Sequence, residues 1–286
     1  MKKIAVLNDL SGLGKCSLTA AIPVISVMGV QAVPFPTAVL SSQTGYTSYF
    51  YDDYTDRLDY IIEEWKKIGF APDGIYTGFL AGEAQAEKIQ EFLNVFAKEN
   101  TKILTDPILG DNGKAHGFYT EKLCECMRAL VRRAHVITPN LTEAMLLLIG
   151  KEETEKQWKA LQEEGDKAFL RAAETYGMRL LKEYGLQTVV ITGVEHTEEK
   201  TAYMGNLVCE AEENFWVFSK KDGGSYSGTG DLFASILSAG LVKGLSMKEC
   251  AEKAARFLEK ALCQTVKEGT DRNEGVCFEP YLKELL

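Results

Sequence analysis

Residues 74–105 read GIYTGFLAGEAQAEKIQEFLNVFAKENTKILT. A short apolar run, Gly74–Thr77, leads into an amphipathic stretch over 83–98. A second run, Lys102–Thr105, follows it. Strand, helix, strand is the unit of a parallel sheet, because parallel strands need a crossover between them. The alternation extends both ways. Further strand-like runs are Ile4–Leu7, Ala32–Phe35, His135–Thr138, Thr188–Thr192, Thr201–Met204 and Phe215–Phe218. Helix-like stretches are 17–28, 54–68, 120–133, 141–149, 155–184, 231–243 and 247–266. The pattern predicts an α/β fold, a doubly wound, mostly parallel sheet with helices on both faces. The last runs follow one another without helices and are expected as antiparallel edge strands near the C-terminal half.

Local signals mark the helix ends. Ser246 and Glu249 form a capping box, and Asn140 with Glu143 makes another. Gly69, Gly150, Gly185 and Gly244 each follow a periodic stretch, as helix stops do. Pro23 inside the first helical pattern implies a kink or a late start. The charged segment 151–184 reads as a solvated helical face. No repeat, low-complexity segment or linker is visible, so one domain over residues 1–286 is expected.

Composition narrows the function. The chain has 286 residues, 45% hydrophobic and 26% charged, with a formal net charge of −9. No basic stripe is present, which argues against nucleic acid and anionic membranes as partners. The apolar run after Met1-Lys2-Lys3 stops at Asn8-Asp9, too short for a secretory leader, and no stretch reaches membrane-span length. Seven scattered cysteines point to free thiols in a reducing cytoplasm. Cys124 and Cys126 lack a second Cys/His pair at zinc spacing.

In such sheets, ligands bind beyond the carboxyl ends of the strands. Polar residues gather there: Asn8-Asp9, Thr77-Gly78, Asp106-Pro107, Thr138-Pro139-Asn140 and Thr192-Gly193. Residues 227–235 read SGTGDLFAS, and the apolar helix opens at the aspartate. Gly228, Thr229 and Gly230 place bare amides at a helix N-terminus, where a phosphate can bind, and Asp231 can take a proton from a hydroxyl. The same letters also describe a plain turn and cap. Segment 105–117, TDPILGDNGKAHG, carries Asp106 and Asp111 before a glycine-bounded loop suited to closing over phosphates. Gly12-Leu13-Gly14-Lys15-Cys16-Ser17 imitates a phosphate loop but fails it: Asp9 replaces the first glycine and Cys16 the hydroxyl residue. A dinucleotide fingerprint fails at Ser17.

Four motifs in order, TDPILGD at 105–111, TPNLTEA at 138–144, VVITG at 189–193 and GTGDLFAS at 228–235, resemble the ribokinase-like superfamily. The similarity is greatest to its vitamin B6 (pyridoxal/pyridoxine/pyridoxamine) kinases, whose substrate-side segment is similar to Val39–Tyr46, VLSSQTGY. The resemblance covers nearly the whole chain. It implies ATP-dependent phosphorylation of a B6 vitamer's 5′-hydroxymethyl group, with Mg²⁺ and a monovalent cation, K⁺ or Na⁺. Asp231 would be the base, and Gly228, Thr229 and Gly230 the anion hole. Asp111, Asn140, Glu143, Thr192 and Gly193 would line ATP, with Glu143 beside magnesium. Asp106, Thr138 and Thr192 would hold the monovalent cation. Val39, Thr44, Asn8 and Phe79 would lie on the substrate side. Asn8 stands where that family usually has serine, and Phe79 where it often has tyrosine. Family members commonly form homodimers.

The alternatives are a hydroxymethylpyrimidine kinase of thiamine synthesis, which shares the chemistry, and a non-catalytic nucleotide-binding regulatory protein. Residues 41–46 favour the B6 substrate, and an intact Asp231 argues against a regulator without activity.

Overall fold

The structure, a computed structural model, describes all 286 residues, which divide into two compact units. The first comprises Met1–Leu104 and Asp222–Leu286, the second Thr105–Lys221.

The first unit opens with β1 (Lys3–Leu13), α1 (Ser17–Val27), β2 (Gln31–Ser42), β3 (Tyr51–Asp53), α2 (Thr55–Lys67), β4 (Gly74–Thr77), α3 (Glu83–Phe96) and β5 (Lys102–Thr105). Its strand order is β5-β4-β1-β2-β3. Strand β1 pairs in parallel with both β2 and β4, whereas β3 returns antiparallel along β2. The decisive stretch 74–105 folds within its expected strand limits. Ile4, Ala5, Val6 and Leu7 are all fully buried, as an interior parallel strand requires.

Strand alternation decides which helix covers which face. Phe35, level with Leu7 in the β1–β2 register, stacks edge-on with Phe92 of α3 at 4.8 Å and Trp65 of α2 at 5.6 Å. Three residues earlier, Ile4 points the other way. There Gly74 leaves room for Val242, which belongs to the later helix α7 (Thr229–Lys243).

The second unit contains β6 (Gly110–Asp111), β7 (Lys114–Ala115), α4 (Glu121–Val131), β8 (Val136–Ile137), α5 (Leu141–Glu164), α6 (Asp166–Tyr184), β9 (Thr188–Glu198), β10 (Thr201–Cys209) and β11 (Asn214–Lys220). Its larger sheet runs β8-β9-β10-β11, with β8–β9 parallel and the next two pairings antiparallel. The antiparallel strands expected in the C-terminal half are thus present. The chain then returns to the first unit through α7, α8 (Met247–Glu268) and a closing 3-10 helix, Glu279–Leu285. The fold is a mostly parallel mixed sheet with helices on both sides.

Some expected element limits need correction. Strand β1 does not end at Asn8-Asp9 but runs on to Leu13, with a register shift between Asn8 and Leu10. The predicted helix over 155–184 is broken at Gly165, whose φ of 86° stops one helix before Asp166 starts the next. The stop expected at Gly150 is present: at φ 74°, ψ 178° it ends one helical stretch, and another begins beyond the kink. Both capping boxes form, and Gly185 and Gly244 are left-handed caps. Helix α1 begins at Ser17 with Pro23 inside it rather than starting late.

All seven cysteines are free thiols. No helix is long and apolar enough to cross a membrane.

Candidate active site

In the first unit the chemistry gathers at the N-terminus of α7. Gly228 takes a left-handed conformation (φ 81°, ψ −1°), and a Cβ there would collide with the Lys15 carbonyl oxygen. Only glycine suits the position. The first intrahelical bond runs from Leu232 N to the Gly228 carbonyl at 2.9 Å, so the Thr229, Gly230 and Asp231 amides precede the helical ladder. A Cβ on Gly230 would meet nothing within 4 Å, which leaves open space beside those amides. Such a terminus suits an anion.

Asp231 stands in this first turn, half-buried. Asn8 Nδ2 donates to Asp231 Oδ1 at 3.2 Å. Two backbone donors decide which way the Asn8 amide faces: its Oδ1 accepts from Phe79 N and Asp9 N, both at 3.0 Å. A Cβ at Gly78 would strike the same amide. The Ser17 backbone N–H also donates to the Asp231 carboxylate. Loss of hydration dominates nonetheless and, with the Asp9 charge nearby, pushes the Asp231 carboxyl up to about 6. An ordinary value near 4, which an exposed aspartate would keep, does not apply here.

Asn8 and Phe79 therefore join Asp231 in one group. Val39, half-buried on β2, and Thr44, exposed in the turn after it, stand outside that hydrogen-bonded group. Gln43 shapes the turn. It takes the Gly45 amide at 2.7 Å and donates to Asn273 Oδ1 at 3.0 Å.

The second unit assembles a separate polar cluster. Thr138 Oγ1 donates to Asp106 Oδ1 at 2.9 Å. Glu143 accepts from Asn140 N at 2.8 Å and Leu109 N at 3.3 Å, and the Asn140 side chain accepts from Glu143 N at 2.9 Å. Asn140 Nδ2 reaches the Gly110 carbonyl at 2.8 Å. Thr192 N bonds to Pro139 O at 2.9 Å, and Asn140 and Thr192 form a parallel bridge. Gly193, at φ 69°, donates to Asn206 Oδ1 at 3.2 Å. Burial holds the Glu143 carboxyl well above the usual range, and the Asp106 charge adds to it. The repulsion between Asp106 and the buried Glu143 carboxylate is what a bound cation would relieve.

Segment 110–115 is not the open loop expected from its glycines. It forms the β6–β7 ribbon, pinned to α5 by Asn140 and by Gly113 N donating to Thr142 Oγ1 at 2.8 Å. Gly113 (φ 74°) lies so close to the Trp158 ring that a Cβ would overlap it. Asp111 is exposed at the ribbon tip and accepts from Asn112 N at 2.9 Å.

Sequence reasoning passed over Asp9, Ser11 and Ser17 as a group. The Asp9 carboxylate accepts from Ser11 Oγ at 2.7 Å and Ser17 Oγ at 2.6 Å. The period-two spacing of Asp9 and Ser11 at the end of β1 was the available signal, and Ser17, at the start of α1, offered none.

Comparison with known proteins agrees with this chemistry. The phosphomethylpyrimidine kinase family pattern matches residues 16–275. The chain is similar to a Bacteroides thetaiotaomicron phosphomethylpyrimidine kinase homologue, whose crystal structure is of a form with pyridoxal. The TM-score is 0.85 and the identity 34%, covering 99% of this chain and 95% of that one. It is also similar to the structure of pyridoxal kinase from Lactobacillus plantarum, with a TM-score of 0.84 and 25% identity over 100% and 97% of the two chains. A pyridoxine/pyridoxal/pyridoxamine kinase of Bordetella avium is 29% identical over 198 residues, 67% of this chain. That match spans 60% of the Bordetella protein's own length. With the family pattern running from α1 almost to the C-terminal 3-10 helix, the chain belongs to the phosphomethylpyrimidine kinase family, within the ribokinase-like fold.

Proposed function

We propose that this chain is an ATP-dependent kinase of the B6 vitamers. It transfers the γ-phosphoryl group of ATP to the 5′-hydroxymethyl oxygen of pyridoxal, pyridoxine or pyridoxamine. The observation that carries this reading is Asp231, half-buried beside the open amides of Thr229 and Gly230 at the head of α7. Asp231 orients the substrate hydroxyl and accepts its proton as the oxygen bonds to phosphorus. A carboxylate titrating at about 6 is ionised at neutral pH, and it is a stronger base than an exposed aspartate. The Gly228–Gly230 amides take the charge of the transferring group. Because the transition state is loose, positioning and charge stabilisation account for most of the acceleration.

In the second unit, Asp111, Asn140, Glu143, Thr192 and Gly193 are assigned to ATP. The cluster fits hard cations, because its donors are oxygens throughout. Glu143 would hold magnesium, and Asp106, Thr138 and Thr192 a monovalent cation, K⁺ or Na⁺. Bound there, such ions would neutralise phosphate charge. Asn8, Phe79, Val39 and Thr44 are assigned to the vitamer side. Residues 1–286 are read as one kinase domain, acting as a homodimer in the cytoplasm. The free thiols support a reducing compartment, and sedimentation would test the dimer.

The B6 substrate rests on Val39–Tyr46 and on the pyridoxal form of the 34% identical relative. A hydroxymethylpyrimidine/phosphomethylpyrimidine kinase of Bacillus subtilis, 24% identical over 86% of this chain, supports a second substrate to test, hydroxymethylpyrimidine. ADP release with pyridoxal, pyridoxine, pyridoxamine and hydroxymethylpyrimidine, in K⁺ and in Na⁺, separates the readings. Turnover of a B6 vitamer is expected. Turnover of the pyrimidine alone would reassign the substrate, and no turnover of any would favour a nucleotide-binding regulator.

A further inference from the structure

Asp9 is a buried carboxylate that the proposed chemistry does not use. It is 5% exposed, and no lysine, arginine or histidine pairs with it. Its side-chain partners are two hydroxyls, Ser11 Oγ at 2.7 Å and Ser17 Oγ at 2.6 Å. Burying an anion without a cation is costly, so such a group needs a reason to persist.

The surrounding backbone supplies one. Lys15 (φ 48°) and Ser17 (φ 51°) both adopt the left-handed region, unusual for residues with side chains. Gly228 and Gly275, also left-handed, pack against this turn so tightly that a Cβ on either would strike its carbonyl oxygens. The turn delivers one residue, Ser17, whose hydroxyl bonds to Asp9 and whose amide donates to Asp231. Strained backbone held from several sides is characteristic of sites where geometry matters.

We propose that Asp9 is the positioning residue for Asp231: through the Ser17 hydroxyl it holds the amide that orients the Asp231 carboxylate, and it places a second negative charge beside that carboxylate. The role of Asp231 rests on the kinase reading; the coupling between the two aspartates does not. The groups facing the pair are few. Cys16 and Asp231 feel the Asp9 charge, as does Tyr51 from β3, and Asn8 Nδ2 faces Asp231. Cys16 is a neutral thiol pushed up to about 12, and Tyr51 is likewise pushed up to about 12. Burial pushes the Asp9 carboxyl itself up, against its two serine hydroxyls, and Asp9 is the carboxylate whose charge acts on Asp231.

The test is a carbon-13 NMR titration of the Asp231 carboxyl, identified by its disappearance in Asp231→Asn, in the wild-type chain and in Asp9→Asn. Asparagine keeps the size and can still bond to both serine hydroxyls, which rotate. The Asp231 midpoint is expected to fall in Asp9→Asn by several tenths of a pH unit or more. An unchanged midpoint in a folded Asp9→Asn protein would overturn the proposal. Should that variant not fold, Ser17→Gly serves instead. Glycine suits φ 51° and removes only the hydroxyl tether. A changed Asp231 midpoint in Ser17→Gly supports the positioning role, and an unchanged one refutes it. Neither measurement needs turnover, so a failed kinase assay would count against the function alone.

Discussion

Asn8 and Asp231, 223 residues apart in the chain, meet through one hydrogen bond of 3.2 Å from Asn8 Nδ2 to Asp231 Oδ1. The other end of the Asn8 amide is committed to two backbone donors, so the nitrogen has to face the carboxylate. This contact makes a residue assigned to the vitamer side part of the base's surroundings as well.

Asn8→Asp keeps an acceptor for the Phe79 and Asp9 amides but places another carboxylate against Asp231. The acidic limb of kcat/KM is expected to move to higher pH, at little cost in ATP affinity. Asn8→Ala removes that acceptor and leaves two amides unsatisfied, each costing about 1–3 kcal/mol if buried. Chemical denaturation against a pH–rate profile separates the two effects. An unmoved limb in Asn8→Asp would remove Asn8 from the base's electrostatic environment.

Asp231 itself couples activity to stability with opposite signs. Its ionised form is the base, so kcat/KM should fall as pH drops through about 6. Asp231→Asn should lower kcat by at least about 10²-fold with ATP affinity retained. The folded value is raised from 3.8 to about 6, so below 3.8 the side chain is neutral in both states and costs nothing. The penalty builds as pH rises from 3.8 to about 6 and is then constant. Asp231→Asn should therefore be more stable than wild type at pH 7.5, by on the order of 1–3 kcal/mol given the partial exposure. The gap should close below pH 4. Melting curves at both pH values check this, and equal Tm values at pH 7.5 would contradict the burial cost.

Two glycines of the same motif should fail differently. Gly228→Ala forces a side chain into a left-handed position and against the Lys15 carbonyl oxygen, so stability should fall by about 2 kcal/mol or more. Gly230→Ala meets open space, so the fold should hold while the added methyl crowds the phosphate position and lowers kcat/KM. Equal loss of stability in both would show that the open space at Gly230 is not preserved in solution.

In the second unit, Glu143→Gln removes one of two mutually repelling buried carboxylates. Tm should rise or hold, while the magnesium concentration giving half-maximal rate increases several-fold. Asn140→Ala instead breaks the α5 cap and should cost about 1 kcal/mol. An unaltered magnesium dependence in Glu143→Gln would place the metal elsewhere.

Much of this was legible in the chain. Strand β4, strand β5 and both capping boxes depend on neighbours in sequence, and all four formed within the limits read from composition and spacing. The polar residues expected past strand ends do gather in hydrogen-bonded groups, yet β1 continues to Leu13 and β9 to Glu198. Both strands shift register beside those residues, with Asn8 at one shift and Ile191–Val194 opposite the other. Local pattern cannot announce a bulge, because the bulge is settled by the partner strand.

The sequence by itself determined the alternation of the main strands and helices, the helix caps and the glycine-rich start of α7, since each follows from periodicity or from backbone preferences within a few residues, whereas the short strands β3, β6 and β7 depend on their partners. Tertiary structure alone decided what surrounds Asp231. Asn8, Asp9, Ser17 and Asp231 come from the first strand, the first helix and the seventh helix, and only their packing withdraws water from the carboxylate and brings a second charge beside it. Hydration and charge depend on distance in space, so the base's affinity for its proton is a property of the fold rather than of the motif.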